Sequence, residues 1–220
     1  MTQIRFLAGP ECGVTGVALS QGATRVVVLD RAGDLRALAP RLRAVIAGAT
    51  AVVVLQPAAT PQGEAAWQAP AAAVPVYVAA AAPEPAAVGP VGQPLGCFHA
   101  LAAGTTIAVA GLTVTAVGPA AWVVADDFHA FGFVTAAAPG AATLQTLHDR
   151  RLAMLVLAMP DGATPERLAV CRRLAPRFVV PWLAPDSAKA AAALEADPWA
   201  EVLEPEPGLY YSLDAPQPDD

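Results

Sequence analysis

Short apolar segments, separated by glycine and proline, recur along this chain and limit its possible folds more than any other feature. Segments of this length are typical of buried β-strands rather than of long helices. One stretch, 105–125, is apolar enough to suggest a membrane span. Gly111, Gly118 and Pro119 interrupt it, and its threonines alternate with apolar residues, which is the spacing of strands.

The predicted elements fall into two halves, each of which begins with strands and ends in alternating strands and helices. Strands are predicted at 4–7, 17–20, 24–29, 51–55, 74–79, 106–109, 112–117, 122–125, 131–136, 142–146, 152–158 and 177–180, with a strand or hairpin at 202–213. Helices are predicted at 34–47, weakly at 65–73, after Thr164-Pro165-Glu166, and at 186–196 behind the capping residue Asp186. Pro40 should kink the first helix or mark its true start. A Pro- and Ala-rich linker, 80–96, separates the halves.

Size and charge narrow the class of protein. At 220 residues one domain is expected, with two small domains as the alternative. The net charge is −6, and the thirteen Lys and Arg residues are scattered, the closest group being Arg36, Arg41 and Arg43. Because nucleic acids are bound by neutralising phosphates, no nucleic-acid partner is expected.

The cysteines and the N-terminal residues predict a cytoplasmic location. Cys12, Cys97 and Cys171 are odd in number and far apart, so no disulfide framework can be read from them. The opening MTQIRFLAGP lacks the apolar core of a signal peptide. Neither a membrane span nor a membrane partner is expected.

Several segments resemble the metallo-β-lactamase fold superfamily. The opening IRFLAGPECGVTGVALSQGATRVVVLD is similar to its first strands, with Gly13, Thr15, Gly16 and Asp30 fitting. LAAGTTIAVAGLTVTAV resembles its central hairpin, FGFVTAA its Gly-Phe strand, and MPDGATPERLAVCRRLAPRFVVPWL the small ascorbate-lactonase-like branch. The resemblance covers 3–213. It implies an α/β fold, a four-layer αββα sandwich, as one domain over 1–213 made of two halves (about 1–100 and 101–213), with a disordered tail at 214–220.

The resemblance also implies a metal site whose ligands are missing here. In that superfamily the strand matching Val52–Leu55 is followed by Thr-His-x-His-x-Asp-His, which supplies most of a dinuclear zinc site. In this chain Gln56 takes the Thr place, Pro57 and Ala59 the first two His places, Pro61 the Asp place and Gln62 the last His place. Later ligands should fall near Ala121 or Trp122, near 147–149, and at Trp182. Only His148 or Asp149 could ligate, so we expect no metal and no catalytic residues, and a vestigial cleft lined by Gln56, Gln62, Trp122 and Trp182.

Other uses of the polar residues remain open. Asp126 and His129, expected at the mouth of the site, could join His148 and Asp149 in a rearranged metal site, or could be ordinary surface residues. Trp122 and Trp182 could form an apolar floor for a small ligand or could fill the space of the lost metals. Cys12 could be a nucleophile, although no base lies near it in sequence.

These patterns predict a bacterial, cytoplasmic pseudoenzyme that acts as a binding, regulatory or partner subunit. A second copy of the chain, a paralogous protein and a small molecule in the cleft are the candidate partners. The alternative is a divergent hydrolase with a zinc site around His129, His148 and Asp149. A third class, an unrelated α/β enzyme with a Cys12 nucleophile, has less support.

Overall fold

The strands of the protein form two sheets. The structure is a computed structural model that describes residues 2–7, 15–31, 40–56, 74–79, 98–184, 186–196, 200–204, 206 and 208–213, with the backbone alone at 31, 40–43, 56 and 98. The first sheet contains β1 (Gln3–Leu7), β2 (Gly16–Gln21), β3 (Thr24–Arg31), β4 (Ala51–Gln56), β5 (Val76–Ala79), β6 (Phe98–Leu101) and β14 (Tyr210–Ser212). The second contains β7 (Thr106–Val109), β8 (Leu112–Gly118), β9 (Ala121–Ala125), β10 (Ala130–Val134), β11 (Met154–Ala158), β12 (Phe178–Trp182) and β13 (Glu201–Val202).

Each sheet changes from antiparallel to parallel pairing in the same way. In the order β14-β1-β2-β3-β4-β5-β6, the strands from β14 to β3 pair antiparallel and those from β3 to β6 pair parallel. In the order β13-β12-β11-β10-β9-β8-β7, the strands from β7 to β10 are antiparallel and those from β10 to β13 parallel. Parallel strands carry their carboxyl ends to one edge, so each sheet has one edge where its parallel strands end.

Helices cover the outer face of each sheet. They are α1 (Pro40–Ala47), α2 (Ala141–Asp149), α3 (Pro165–Leu174) and α4 (Ser187–Glu195). Ile46 of α1 packs with the outward residues of the first sheet, and α2, α3 and α4 pack with those of the second. A third cluster, which includes Ile4, Val53, Trp122 and Trp182, fills the space between the sheets. The predicted four-layer αββα sandwich is therefore confirmed.

Turn and capping residues in the sequence predicted several elements correctly. The Gln21-Gly22-Ala23 hairpin joins β2 to β3, with Gly22 at a φ of 58° that favours glycine. The helix predicted at 34–47 begins at Pro40 within the described residues, as expected of a proline in the first turn. Asp186 caps α4 by accepting a hydrogen bond from the Lys189 amide at 2.9 Å.

Two predictions of secondary structure were wrong, and one strand was missed. Residues 142–146 belong to helix α2, in which Leu144 and Leu147 lie on one helical face and pack against the second sheet. A short segment of mixed polarity fits both periods, so the pattern could not decide between them. Residues 202–213 are not one hairpin, because β13 pairs with β12 and β14 with β1. Strand β6 was not predicted, and the weak helix at 65–73 and the linker 80–96 lie outside the described residues.

Candidate functional site

Two hydrogen bonds between the sheets show how their edges are aligned. Thr2, before β1, donates from Oγ1 to Asp126 Oδ2 in the turn before β10. Thr24, the first residue of β3, donates from Oγ1 to the carbonyl oxygen of Ala110 at 2.8 Å. Both bonds lie at the amino ends of the parallel strands, so the carboxyl ends of the two sheets meet at the opposite end of the sandwich. Ligands of open α/β sheets bind outside such carboxyl ends, and we call this end the cleft edge.

The loop that follows β4 begins at the cleft edge. Gln56 is the last residue of β4 and lies opposite Arg31 in the register with β3. Of Gln56 the structure describes the backbone alone, and the predicted cleft residue Gln62 lies outside the described residues. The same is true of Pro57, Ala59, Pro61 and Cys12. These predictions therefore stay predictions.

Two tryptophans stand on strands of the second sheet at this edge. Trp122 follows the first residue of β9, and Trp182 is the last residue of β12, opposite Ala158. Their side chains are 0% and 4% exposed and belong to the core between the sheets. The two positions expected to hold metal ligands thus hold buried indoles, which lack a lone pair for a metal.

Two buried polar atoms at the cleft edge lack hydrogen-bond partners among the described residues. Within the part of the chain that the structure describes, neither the buried Nε1 of Trp122 nor the buried Oγ1 of Thr15 has a hydrogen-bond partner. Thr15 precedes β2 and so lies at the cleft edge as well. A buried donor that is left unpaired costs about 1 to 3 kcal/mol. A ligand acceptor or a bound water at this edge would relieve that cost.

Thr15 and Gly16, at the start of β2, are joined to Asp30 near the end of β3 at the cleft edge. The Thr15 amide donates to Asp30 Oδ1 at 2.9 Å, and the Asp30 amide donates back to the Thr15 carbonyl at 3.0 Å. Gly16 lies so close to β3 that a Cβ there would be 2.6 Å from Leu29 Cδ2 and 2.9 Å from the Val28 carbonyl oxygen. Glycine is therefore required for this packing. The packing and the two hydrogen bonds give a physical reason for Thr15, Gly16 and Asp30, which were matched to the superfamily by resemblance alone.

The prediction that Asp126 and His129 lie at the mouth of the site was wrong. They belong to the turn between β9 and β10, at the amino ends of the parallel strands. Asp126 is a buried acceptor for Thr2 Oγ1 and for the amides of Phe128 and His129 at 2.8 and 2.6 Å. Burial by itself would raise the pKa of Asp126, but these hydrogen bonds and the nearby His129 ring hold it below the ordinary value of 3.8.

His148 and Asp149 are also far from the cleft edge. They end helix α2, beside the amino end of β11, in the outer layer of the second sheet. His148 Nδ1 lies 3.1 Å from the Arg173 carbonyl oxygen, and Asp149 accepts from Gln145 Nε2 at 2.8 Å. By contrast, the ring of His129 packs 6.3 Å from that of Phe131, in the core between the sheets.

The rearranged metal site is therefore not assembled. The two pairs, Asp126 with His129 and His148 with Asp149, occupy different layers of the sandwich. Among the residues that the structure describes, no three His, Cys, Asp or Glu side chains are grouped so as to hold a metal ion. Asp149, the carboxylate expected near 147–149, lies at the amino ends of the parallel strands. The reason is that α2 runs from the carboxyl end of β10 back to the amino end of β11.

The burial of two polar side chains of α3 was not predicted from the sequence. Arg167 is 2% exposed and donates from Nη1 to the carbonyl oxygen of Ala158, at the end of β11. Burial lowers its pKa, which the nearby Asp161 partly offsets. Burial also raises the pKa of Cys171, one turn further along α3, to about 12. The helical spacing of Arg167 with Val170, Cys171 and Leu174 was the signal that could have shown it facing inward.

Comparison with solved structures identifies the fold. The metallo-β-lactamase fold protein YhfI from Bacillus subtilis superposes with a TM-score of 0.66 at 10% identity, covering 96% of this chain and 100% of that one. A diphosphatase from the PhnP family gives 0.59 at 12% identity, covering 98% and 99%. The short form of human tRNase Z gives 0.51 at 11% identity, covering 96% and 99%. The chain therefore has the metallo-β-lactamase fold.

The similarity to known proteins is limited to the fold. No protein-family model matches the chain, and no curated protein matches its sequence. Within the described residues, no helix is both long and apolar enough to cross a membrane.

Proposed function

We propose that this chain is a catalytically inactive protein of the metallo-β-lactamase fold, a pseudoenzyme that acts by binding. The observation that carries the proposal is the pair of buried tryptophans, Trp122 and Trp182, at the ends of β9 and β12. Hydrolysis in this fold depends on a metal that lowers the pKa of its bound water towards neutrality. An indole donates one hydrogen bond and offers no ligand, so these two strand ends contribute nothing to such a centre.

The residues after β4 support the same proposal. Under the resemblance, Pro57, Ala59, Pro61 and Gln62 occupy the His and Asp places of the motif. Proline and alanine side chains have no donor atom, and a catalytic zinc needs about three protein ligands. Together with Trp182, five places of the site then carry side chains that are not zinc ligands. No cofactor is part of the proposal.

The ordered backbone and the buried donor at the cleft edge support a binding role. The Thr15 amide donates to the Asp30 carboxylate and the Asp30 amide donates to the Thr15 carbonyl, which joins the two strands at this edge. Within the described part of the chain, the Trp122 Nε1 donor has no acceptor. A small molecule carrying a carbonyl or carboxylate oxygen would satisfy it. We propose such a ligand in the cleft, or else a regulatory contact through this edge with a second copy or a paralogous protein, in a bacterial cytoplasm.

An assay of hydrolysis tests the proposal. We expect the purified chain to give no turnover of lactone, β-lactam, thioester or phosphodiester substrates above the uncatalysed rate, with or without added zinc. A general base alone contributes about 10² to 10⁴-fold, whereas enzymes reach about 10⁶-fold and more. Turnover that survives purification and disappears in His129→Ala or His148→Ala would restore the divergent hydrolase.

A further inference from the structure

An open groove lies between the C-terminal ends of α2 and α3, at the amino ends of β11 and β12. Its volume is about 720 Å³, within the range of small-molecule sites. Its polar side chains are His148, Asp149, Arg151 and Arg177, and its apolar wall includes Leu152 and Pro176. The groove lies at the end of the sandwich opposite the cleft edge, so it is separate from the site described above.

Positive charge is concentrated around this groove. Five of the thirteen Lys and Arg residues lie on the segments that form it, and all five are exposed: Arg150, Arg151, Arg172, Arg173 and Arg177. The expectation that the basic residues are scattered was therefore wrong, although the pairs at 150–151 and 172–173 were visible in the sequence. The acidic groups on these and the neighbouring segment are Asp149, which binds Gln145, Glu166 in the first turn of α3, away from the groove, and Glu201 of β13. The whole chain, by contrast, carries a net charge of −6.

Helix stabilisation accounts for part of this cluster only. Arg172 and Arg173 lie in the last turn of α3, and Arg150 caps α2, where cations interact favourably with the helix dipole. Arg177 belongs to no helix. Its guanidinium lies over the ring of Phe178, 4.8 Å from the ring centre. Arg151 follows α2 with a φ of 47°, and its amide donates to the His148 carbonyl at 3.0 Å.

The contact with Phe178 therefore holds the Arg177 guanidinium in place, and the turn after α2 fixes the backbone from which Arg151 enters the groove lining. A fixed arginine loses less entropy when it binds, and its planar fork matches the oxygens of a phosphate group. His148 adds a third polar group. Because the Arg173 carbonyl can only accept, the His148 Nδ1 donates to it, which leaves Nε2 for a ligand.

We propose that this groove binds a small organic molecule through its phosphate groups. Two arginines that line one cavity, Arg151 and Arg177, with three more on the same segments, match the multiple charge of a phosphate better than the single charge of a carboxylate. The arginines bind the phosphate oxygens, and Leu152 and Pro176 contact the organic part. The proposal is independent of whether the cleft edge is catalytically active.

Calorimetric titration of the full chain with inorganic pyrophosphate at low ionic strength tests this proposal. We expect one saturable site per chain, weakened by added sodium chloride. Arg177→Gln and Arg151→Gln should each weaken binding about 10- to 100-fold, as for the loss of hydrogen bonds to a charged group. Arg177→Lys, which keeps the charge and loses the fork, should weaken it less. Lys189→Gln removes an exposed charge on α4 and should leave the affinity unchanged.

Three outcomes would overturn the proposal. The first is the absence of saturable binding of pyrophosphate by the unmodified chain. The second is an equal loss of affinity in Lys189→Gln and Arg177→Gln, which would mean attraction to overall charge. The third is binding of citrate as tight as that of pyrophosphate, which would show a site for any anion. Thermal unfolding of each variant establishes that it is folded, and Arg177→Lys provides the measurement should a glutamine variant fail to fold.

Discussion

Thr2 Oγ1 donates a 2.5 Å hydrogen bond to Asp126 Oδ2, joining residues 124 positions apart. It connects the start of β1 in the first sheet to the turn before β10 in the second. The Asp126 side chain is 1% exposed and accepts two further hydrogen bonds from the backbone of its own turn. The carboxylate therefore holds together the edge of the sandwich opposite the cleft. Its role is structural, whereas the sequence had suggested a ligand of a rearranged metal site.

Removing this bond should destabilise the protein without affecting the cleft. Thr2→Val keeps the shape of the side chain and leaves a buried carboxylate without one donor, at a cost of about 1 to 3 kcal/mol. Thr24→Val is the matched control, because it also removes a threonine hydrogen bond between the sheets, here from an exposed hydroxyl to a neutral carbonyl. Urea unfolding should show the larger loss in Thr2→Val. An equal or smaller loss would contradict the role given to Asp126.

The same carboxylate should make stability depend on pH. Its pKa in the folded state lies below the ordinary value of 3.8, so folding favours the ionised form. The contribution is therefore fully present above that ordinary value and is lost as the pH falls through the lower, folded pKa. The difference in unfolding free energy between the unmodified chain and Asp126→Asn should thus shrink from pH 6 towards pH 3. A difference that stays constant over this range would contradict the assignment.

Trp182 should be a major source of stability. Its side chain is 4% exposed in the core between the sheets, and truncation of large core residues costs about 3 to 5 kcal/mol. Trp182→Ala should show this loss in denaturant melts. Phe128→Ala, a control at a side chain that is 62% exposed, should change stability by less than about 0.5 kcal/mol. A loss well under 1 kcal/mol for Trp182→Ala would show that packing does not replace the metal centre.

Gly16 should not tolerate a side chain. A Cβ there would lie 2.9 Å from the Val28 carbonyl oxygen, and backbone cannot move aside as a flexible side chain can. Gly16→Ala should therefore cost about 1 to 3 kcal/mol, as other overpacked substitutions do. At Gly140, which precedes α2, a Cβ would meet nothing within 4 Å. Thermal unfolding of Gly16→Ala and Gly140→Ala compares the two, and similar midpoints would contradict the close packing of Gly16 against β3.

Elements with strong local signals could be predicted from the sequence. The β2–β3 hairpin, the start of α1 at Pro40 and the Asp186 cap each follow from one turn or cap residue. The helix at 141–149 could not be predicted in this way, because Leu144 and Leu147 reveal their face only when packed on the second sheet. The sequence also could not show that β13 and β14 belong to different sheets, because each is placed by pairing with a strand distant from the other.

The candidate site was less predictable than the fold. The predicted metal ligands lie in the turn between β9 and β10 (Asp126 and His129) or at the end of α2 (His148 and Asp149). The sequence does not say at which edge of the sandwich each of these places lies. The register of β9 and β10 places Asp126 and His129 at the amino ends, and the direction of α2 carries His148 and Asp149 to the same end in another layer. The groove arginines were missed for the same reason, because three segments of the chain contribute them.

Whether the protein carries a metal ion can be measured directly. We expect elemental analysis of the untagged, purified chain to find zinc, iron and manganese far below one atom per chain. A chelator should leave the unfolding midpoint unchanged, because metal binding contributes to stability only where a site exists. A content close to one metal per chain that is retained on dialysis would contradict this expectation, and its loss in His129→Ala or His148→Ala would restore the divergent hydrolase.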